Sequence, residues 1–227
     1  LADFLERVSD DLARRHEYRT PRFRPDIGYS SRGREPENGD SCLWFEGPGN
    51  CFYVLLCDGM GTGSGAEKES AEAARLLRQM LQAGFPAEYA LRSLNSLAVL
   101  REFGGCSTVD LVQIHLDSGK GMMYKWGASP SYLMVSGQLR KIGTASPPPG
   151  LSHSCREVAD RLSLSRGERL ILLSDGVSEE GLLDSARTTP SQPPGEMAAA
   201  ILEKEPSEGD DATAVVVRLL PDCLSAS

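Results

Sequence analysis

Apolar and polar residues alternate over residues 23–30 and cluster as in a strand over 41–46, with the glycine-bearing loop SRGREPENG between them. Residues 51–57 are apolar almost throughout, which marks a strand buried on both faces, and they run straight into Asp58. Ala73, Leu76, Leu77, Met80 and Leu81 then form one stripe at helical spacing and predict a helix over 65–83. A second helix follows over 86–101, with Pro86 in its first turn. After Gly104 and Gly105 the period drops to two. Stretches 108–116, 121–126, 131–135 and 138–142 read as an antiparallel meander with turns at Asp117-Ser118-Gly119 and Ser136-Gly137. Strands over 158–164 and 169–173, a mobile Ser/Thr/Pro-rich loop over 185–195, a short helix over 196–203 and a last strand over 212–219 complete the pattern. At the front, Leu5, Val8 and Leu12 make residues 2–16 an amphipathic helix that ends before Thr20-Pro21. The expected layout is an N-terminal helix over 1–20, packing on the body or linking it to a regulator, a domain over 21–220 and a tail over 221–227.

Composition narrows the class without naming it. A chain of 227 residues with 40% hydrophobic and 25% charged content can build one substantial core. The formal charge of −8 and the absence of a clustered basic face argue against nucleic acid and anionic membrane as partners. No apolar run approaches the ~18 to 20 residues that span a bilayer. The chain opens on Leu1 rather than Met, which reads as a cytoplasmic fragment whose parent could be membrane-anchored upstream. Six cysteines without a spacing pattern, several in apolar runs, fit buried reduced thiols better than a disulfide framework.

Four acidic clusters sit where predicted strands begin or end: Asp40 in NGDS, Asp58 in DGMGTG, Asp175 in SDG, and Asp210-Asp211 in GDDAT. Carboxylates gathered from distant strand ends repel one another unless a cation lies among them, and oxygen-only donors select Mg²⁺ or Mn²⁺. Zinc would need Cys and His at short spacings, which the six cysteines and three histidines do not supply. Each Asp-Gly taken alone is an ordinary turn with an Asx-type cap. Two apolar strands ending on Asp-Gly, at Asp58 and Asp175, make coincidence a poorer account. The glycine run 59–65 is no Walker A loop, because Lys68 stands between Glu67 and Glu69. It matches a relaxed dinucleotide fingerprint, but a second helix follows where a parallel strand is required. Cys106 lacks the arginine five residues on that a cysteine phosphatase needs, since position 111 is Leu.

In order, NGDS, DGMGTG, GGCSTVDL, WGASPSYL, SDGVSE and GDDATAVVV resemble the PPM-type (2C-class) metal-dependent serine/threonine phosphatases, in the bacterial branch typified by stage II sporulation protein E. The resemblance covers about residues 22–220. It implies an α+β fold, a four-layer α-β-β-α sandwich of two mainly antiparallel sheets flanked by helices, with two Mn²⁺ or Mg²⁺ ions at one end. By motif, Asp58 bridges both ions, the Gly59 carbonyl binds one, Asp175 and Asp210 complete the first site, and Asp40 belongs to the second. A hydroxide between the ions then attacks phosphorus directly. Two positions depart from the pattern: Met60 stands where eukaryotic relatives place a His, and Asp211 where many relatives have Asn. An early phosphate-holding Arg has no firm match, so Arg32 and Arg34 are the candidates.

The implied activity is hydrolysis of phosphoserine or phosphothreonine, with an anti-anti-sigma-type regulatory protein as substrate in sporulation or stress signalling. A homodimer through the regulatory helices belongs to the same expectation. Two other readings compete. One is a catalytically weak partner-binding module on the same fold, which retention of every expected acid disfavours. The other is an aspartyl-phosphate transferase using Asp58 as nucleophile, which the antiparallel pattern disfavours.

Overall fold

The structure, a computed structural model, describes residues 21–100, 107–144, 146–151, 159–188, 191–206 and 209–222. The alternating and apolar runs form strands β1 (Phe23–Arg32), β2 (Asp40–Gly47) and β3 (Cys51–Asp58). Helices α1 (Gly63–Gln82) and α2 (Ala87–Leu100) follow. Next come β4 (Val109–His115), β5 (Lys120–Trp126), β6 (Ser131–Val135), β7 (Gln138–Ile142), β8 (Ala159–Ser163) and β9 (Arg169–Leu173). The chain continues through α3 (Glu179–Thr188) and α4 (Pro194–Leu202) to β10 (Ala212–Pro221).

Two five-stranded sheets result, with strand orders β1-β10-β9-β6-β7 and β2-β3-β4-β5-β8. Every pairing between these strands is antiparallel. Side-chain parity sorts the residues into layers, because neighbours along a strand face opposite sides. On β3, Val54 and Leu56 join Val112 and Ile114 of β4, Leu170 and Leu172 of β9, and Val215 and Val217 of β10 in a core between the sheets. The alternate residues Leu55, Leu111, Tyr124 and Trp126 pack outward against Leu77 and Leu81 of α1 and Leu91 of α2. On the other side, Ile171, Leu173, Ala214 and Val216 pack against Leu182 of α3 and Met197 and Ile201 of α4. Three apolar seams therefore separate four layers, helix, sheet, sheet and helix, as the resemblance implied. Each fully buried Leu along them contributes about 1.5–3 kcal/mol over exposure.

Two expectations are corrected. The stretch from 108 to 142 is not one meander: β4 and β5 belong to one sheet, β6 and β7 to the other. The crossing falls at Gly127, whose φ of +68° turns the chain after Trp126. A Cβ there would meet Pro148 Cβ at 2.6 Å, so the turn is also too tight for a side chain. The loop expected over 185–195 begins later, since residues 185–188 close α3, an element that the apolar pattern did not predict. Its Leu182 and Ala186 are buried in the apolar cluster that α4 shares with this sheet, the helix lying against α4 and β7, and that packing outweighs a local sequence of Gly, Ser and Thr with weak helix propensity. The amphipathic helix expected over 2–16 and the cysteine at 106 lie outside the described residues.

Candidate active site

The acids meet at one end of the seam between the sheets. Asp40 opens β2 directly opposite Asp58, which closes β3. Parity turns both toward the opposing sheet, since Asp58 is in phase with Leu56 and Val54. From that sheet Ser174 and Thr213 close the gap: the Ser174 amide donates to the Thr213 carbonyl at 3.0 Å, and the Thr213 amide to Ser174 Oγ at 2.8 Å. Asp175 lies one residue beyond, and Asp210 and Asp211 immediately precede β10. The antiparallel pairing of β9 with β10 brings the end of one to the start of the other, so these three acids share a rim.

Asp40 is buried, and neither of its carboxylate oxygens has a hydrogen-bond partner among the described residues. Burial pushes its pKa up to about 6; nearby Thr213 and Ser174 ease the charge, and Asp211 and Asp175 oppose it. Those two hydroxyls lie close enough to act through their dipoles but outside hydrogen-bond geometry. Burial likewise pushes Asp58 up to about 8, reinforced by the charges of Asp40, Asp175 and Asp210. Among the described residues no ion pair reaches these carboxylates, and they raise one another's pKa instead. The acids feel each other's charge without closing on a point: among the described residues no three Asp, Glu, His or Cys side chains stand gathered as a cation cage. The donor set nonetheless fits a divalent ion. Partnerless buried oxygens are what an oxygen-seeking cation needs, and its charge would remove the repulsion that holds protons on Asp40 and Asp58.

Asp211 does different work. Its Oδ1 accepts the Arg34 amide at 2.7 Å and its Oδ2 the Gly39 amide at 2.8 Å, so it pins the loop before Asp40 to the start of β10. A Cβ on Gly39 would fall 2.7 Å from that Oδ2. Gly59 is equally constrained. Its amide donates to the Gly39 carbonyl at 3.1 Å, and a Cβ would sit 2.1 Å from the Ala66 carbonyl oxygen of α1. Met60 is exposed. Arg32 reaches away from the acids, its guanidinium donating to the carbonyls of Glu205 at 3.3 Å and Pro206 at 2.8 Å, just past α4. Arg34 is exposed beside the acidic rim.

The pattern analysis passed over two charged residues of this region. Asp110 and Lys125 are cross-strand partners on β4 and β5, fully or almost fully buried, and form an ion pair. Their signal was present in the parity: each is the one charge on the inward face of its strand, in phase with Val112 and Ile114 on β4 and Met123 on β5.

The sequence model described as Stage II sporulation protein E (SpoIIE) matches residues 48–220. This chain belongs to the stage II sporulation protein E family. The Priestia megaterium stage II sporulation protein E is 30% identical over 154 residues, covering 67% of this chain and 26% of that protein. The chain thus spans about a quarter of the length of that relative. Among solved structures, the PP2C phosphatase domain with a fragment of the regulatory domain of SpoIIE from Bacillus subtilis superposes with a TM-score of 0.80. It is 27% identical, over 90% of this chain and 64% of that one. The fold is shared more widely: RsbX in complex with magnesium matches with a TM-score of 0.71 at 17% identity, over 86% and 96% of the two chains. The SpoIIE-family chain thus has the fold of that PP2C phosphatase domain.

Proposed function

We propose that this domain hydrolyses phosphoserine or phosphothreonine in a regulatory protein of the anti-anti-sigma type, using two divalent ions, Mn²⁺ or Mg²⁺. The observation that carries the reading is Asp40, whose two buried oxygens lack partners among the described residues and which pairs with Asp58 across antiparallel strands. Asp58, the Gly59 carbonyl, Asp175 and Asp210 would hold one ion, and Asp58 with Asp40 the other. When bound, such ions supply an activated water and neutralise the phosphoryl oxygens. The chain supplies the rest. Asp211 holds the loop that carries Asp40 in register with the start of β10, and the contact of Gly59 with α1 fixes its carbonyl. Arg34, exposed at the rim, binds the substrate phosphate. Arg32, engaged by the carbonyls beyond α4, shapes the fold instead. The RsbX structure with magnesium, on the same fold, supports a divalent ion here. The domain would act in the cytoplasm, alone or as part of a membrane-anchored protein. No described helix is long and apolar enough to cross a membrane.

The test is Mn²⁺-dependent release of phosphate from phosphoserine proteins, including anti-anti-sigma factors. Chelator, Asp58→Asn or Asp175→Asn should each abolish it. Full turnover by either variant would end the two-ion reading.

A further inference from the structure

Beneath the acidic rim lies a buried polar group that the mechanism above does not use. Asp110 and Lys125 project from β4 and β5 into the seam between the sheets, in phase with Val112 and Met123. Lys125 Nζ contacts Asp110 Oδ2 and donates to Ser131 Oγ at 2.9 Å, and Ser131 Oγ donates to the same Asp110 Oδ2 at 2.8 Å. Ser131 opens β6 of the other sheet, so the triad bridges both sheets. All three residues are buried, and two of them carry charge. The second oxygen, Asp110 Oδ1, is buried and has no partner among the described residues.

Asp110 also lines a small cavity of about 20 Å³ whose other walls include Asp58, Thr108, Ser174 and Asp175. One ordered water needs about 10–15 Å³ and two or more polar partners, and this cavity offers both. The register explains the placing. Asp110 pairs with Leu56, and Asp58 is the next residue on the same face of β3. Diagonal neighbours of this kind have strand positions about 7–8 Å apart, and two ionised carboxylates have no hydrogen to share, so one water donating to both is what can join them.

We propose that Asp110 is a positioning residue: its Oδ1 and one ordered water hold the Asp58 carboxylate in the orientation that cation binding needs. The water donates one hydrogen to Asp110 and the other to Asp58. Lys125 neutralises Asp110, so the acceptor beneath the site adds no net negative charge to a rim already crowded with acids. The inference rests on the metal-dependent reading above.

A merely structural ion pair would behave differently. Replacing a buried pair by apolar residues of similar volume is often neutral or stabilising, so Asp110→Leu with Lys125→Met should fold. Isothermal titration with Mn²⁺ should then show an affinity about 10–100-fold weaker, the usual range for lost support of a metal ligand. With a phosphoserine peptide kcat should fall while KM stays put. Asp110→Asn with Lys125→Met, which restores an uncharged oxygen acceptor, should recover Mn²⁺ affinity to within about threefold of wild type. Wild-type Mn²⁺ affinity in the Leu/Met pair would overturn the positioning role alone, whereas a wild-type chain that binds no Mn²⁺ would overturn the proposed function as well. A high-resolution crystal structure of the wild-type chain gives a readout independent of the variants' folding. A water within hydrogen-bond reach of both Asp110 Oδ1 and Asp58 is expected, and an empty or dry cavity there would overturn the inference.

Discussion

Asp40 and Asp58 set the terms on which protons and cations compete for this domain. Their folded values, about 6 and about 8, exceed the ordinary carboxylate range near 4. Between the unfolded and folded values the native state holds protons that the unfolded chain has released, so stability falls as pH rises. Without metal, the melting temperature should therefore decline between about pH 5 and 8. Scanning calorimetry across that interval checks it, and a rising series would contradict the electrostatics described. Saturating Mn²⁺ should cancel the decline, since the ion replaces the protons. The two arginines separate in the same spirit. Arg32→Ala removes hydrogen bonds to the carbonyls beyond α4 and should cost about 1–2 kcal/mol in urea denaturation, with KM unaltered. Arg34→Ala should leave stability within about 0.5 kcal/mol and raise KM for a phosphopeptide about tenfold. The reverse pattern would exchange their roles.

Among the elements, α3 is held mainly by burial, with Ser185 Oγ donating to the Ala200 carbonyl at 3.0 Å and an exposed Asp184–Lys204 ion pair beside it. Leu182 is fully buried in the cluster that α4 shares with this sheet, so Leu182→Ala should lower the unfolding free energy by about 2–5 kcal/mol. A loss below about 1 kcal/mol in urea titration would mean that the helix is not docked as described. That dependence explains why α3 escaped a reading of local pattern: Gly181, Ser185 and Thr188 depress propensity, and only its packing with α4 and β7 reveals an apolar face. Strands with two buried faces or clean alternation were legible almost to the residue, as at β6, β7 and β9. The division of strands between sheets was not, because period two fixes which way a side chain faces but not which sheet receives the strand. The acids Asp40, Asp58, Asp175 and Asp210 were legible because each interrupts an apolar boundary. Asp110 and Lys125 were harder to see, being charges inside strands, whose meaning depends on what the fold sets opposite them.

For the molecule as a whole, the acidic site draws on both sheets and so exists only when the seam between them is closed. Any ion bound there is linked to global folding. Mn²⁺ at about a hundred times its dissociation constant should add about 2.7 kcal/mol per site to the unfolding free energy. The shift is read from the urea midpoint at constant slope, and an unmoved midpoint would place binding elsewhere. One further consequence comes from the pairing of β1 with β10. Arg32 lies opposite Ala212 at the acidic end, while Phe23 lies opposite Pro221 at the far end, and the Asp222 amide there donates to the Arg22 carbonyl at 2.9 Å. Both ends of the described domain thus leave side by side, some 30 Å or about nine strand steps from the acidic rim. A fluorophore or affinity tag joined directly at residue 22 or 222 would hang at the end of the sheet opposite the acids and leave the approach of the proposed phosphoprotein unobstructed.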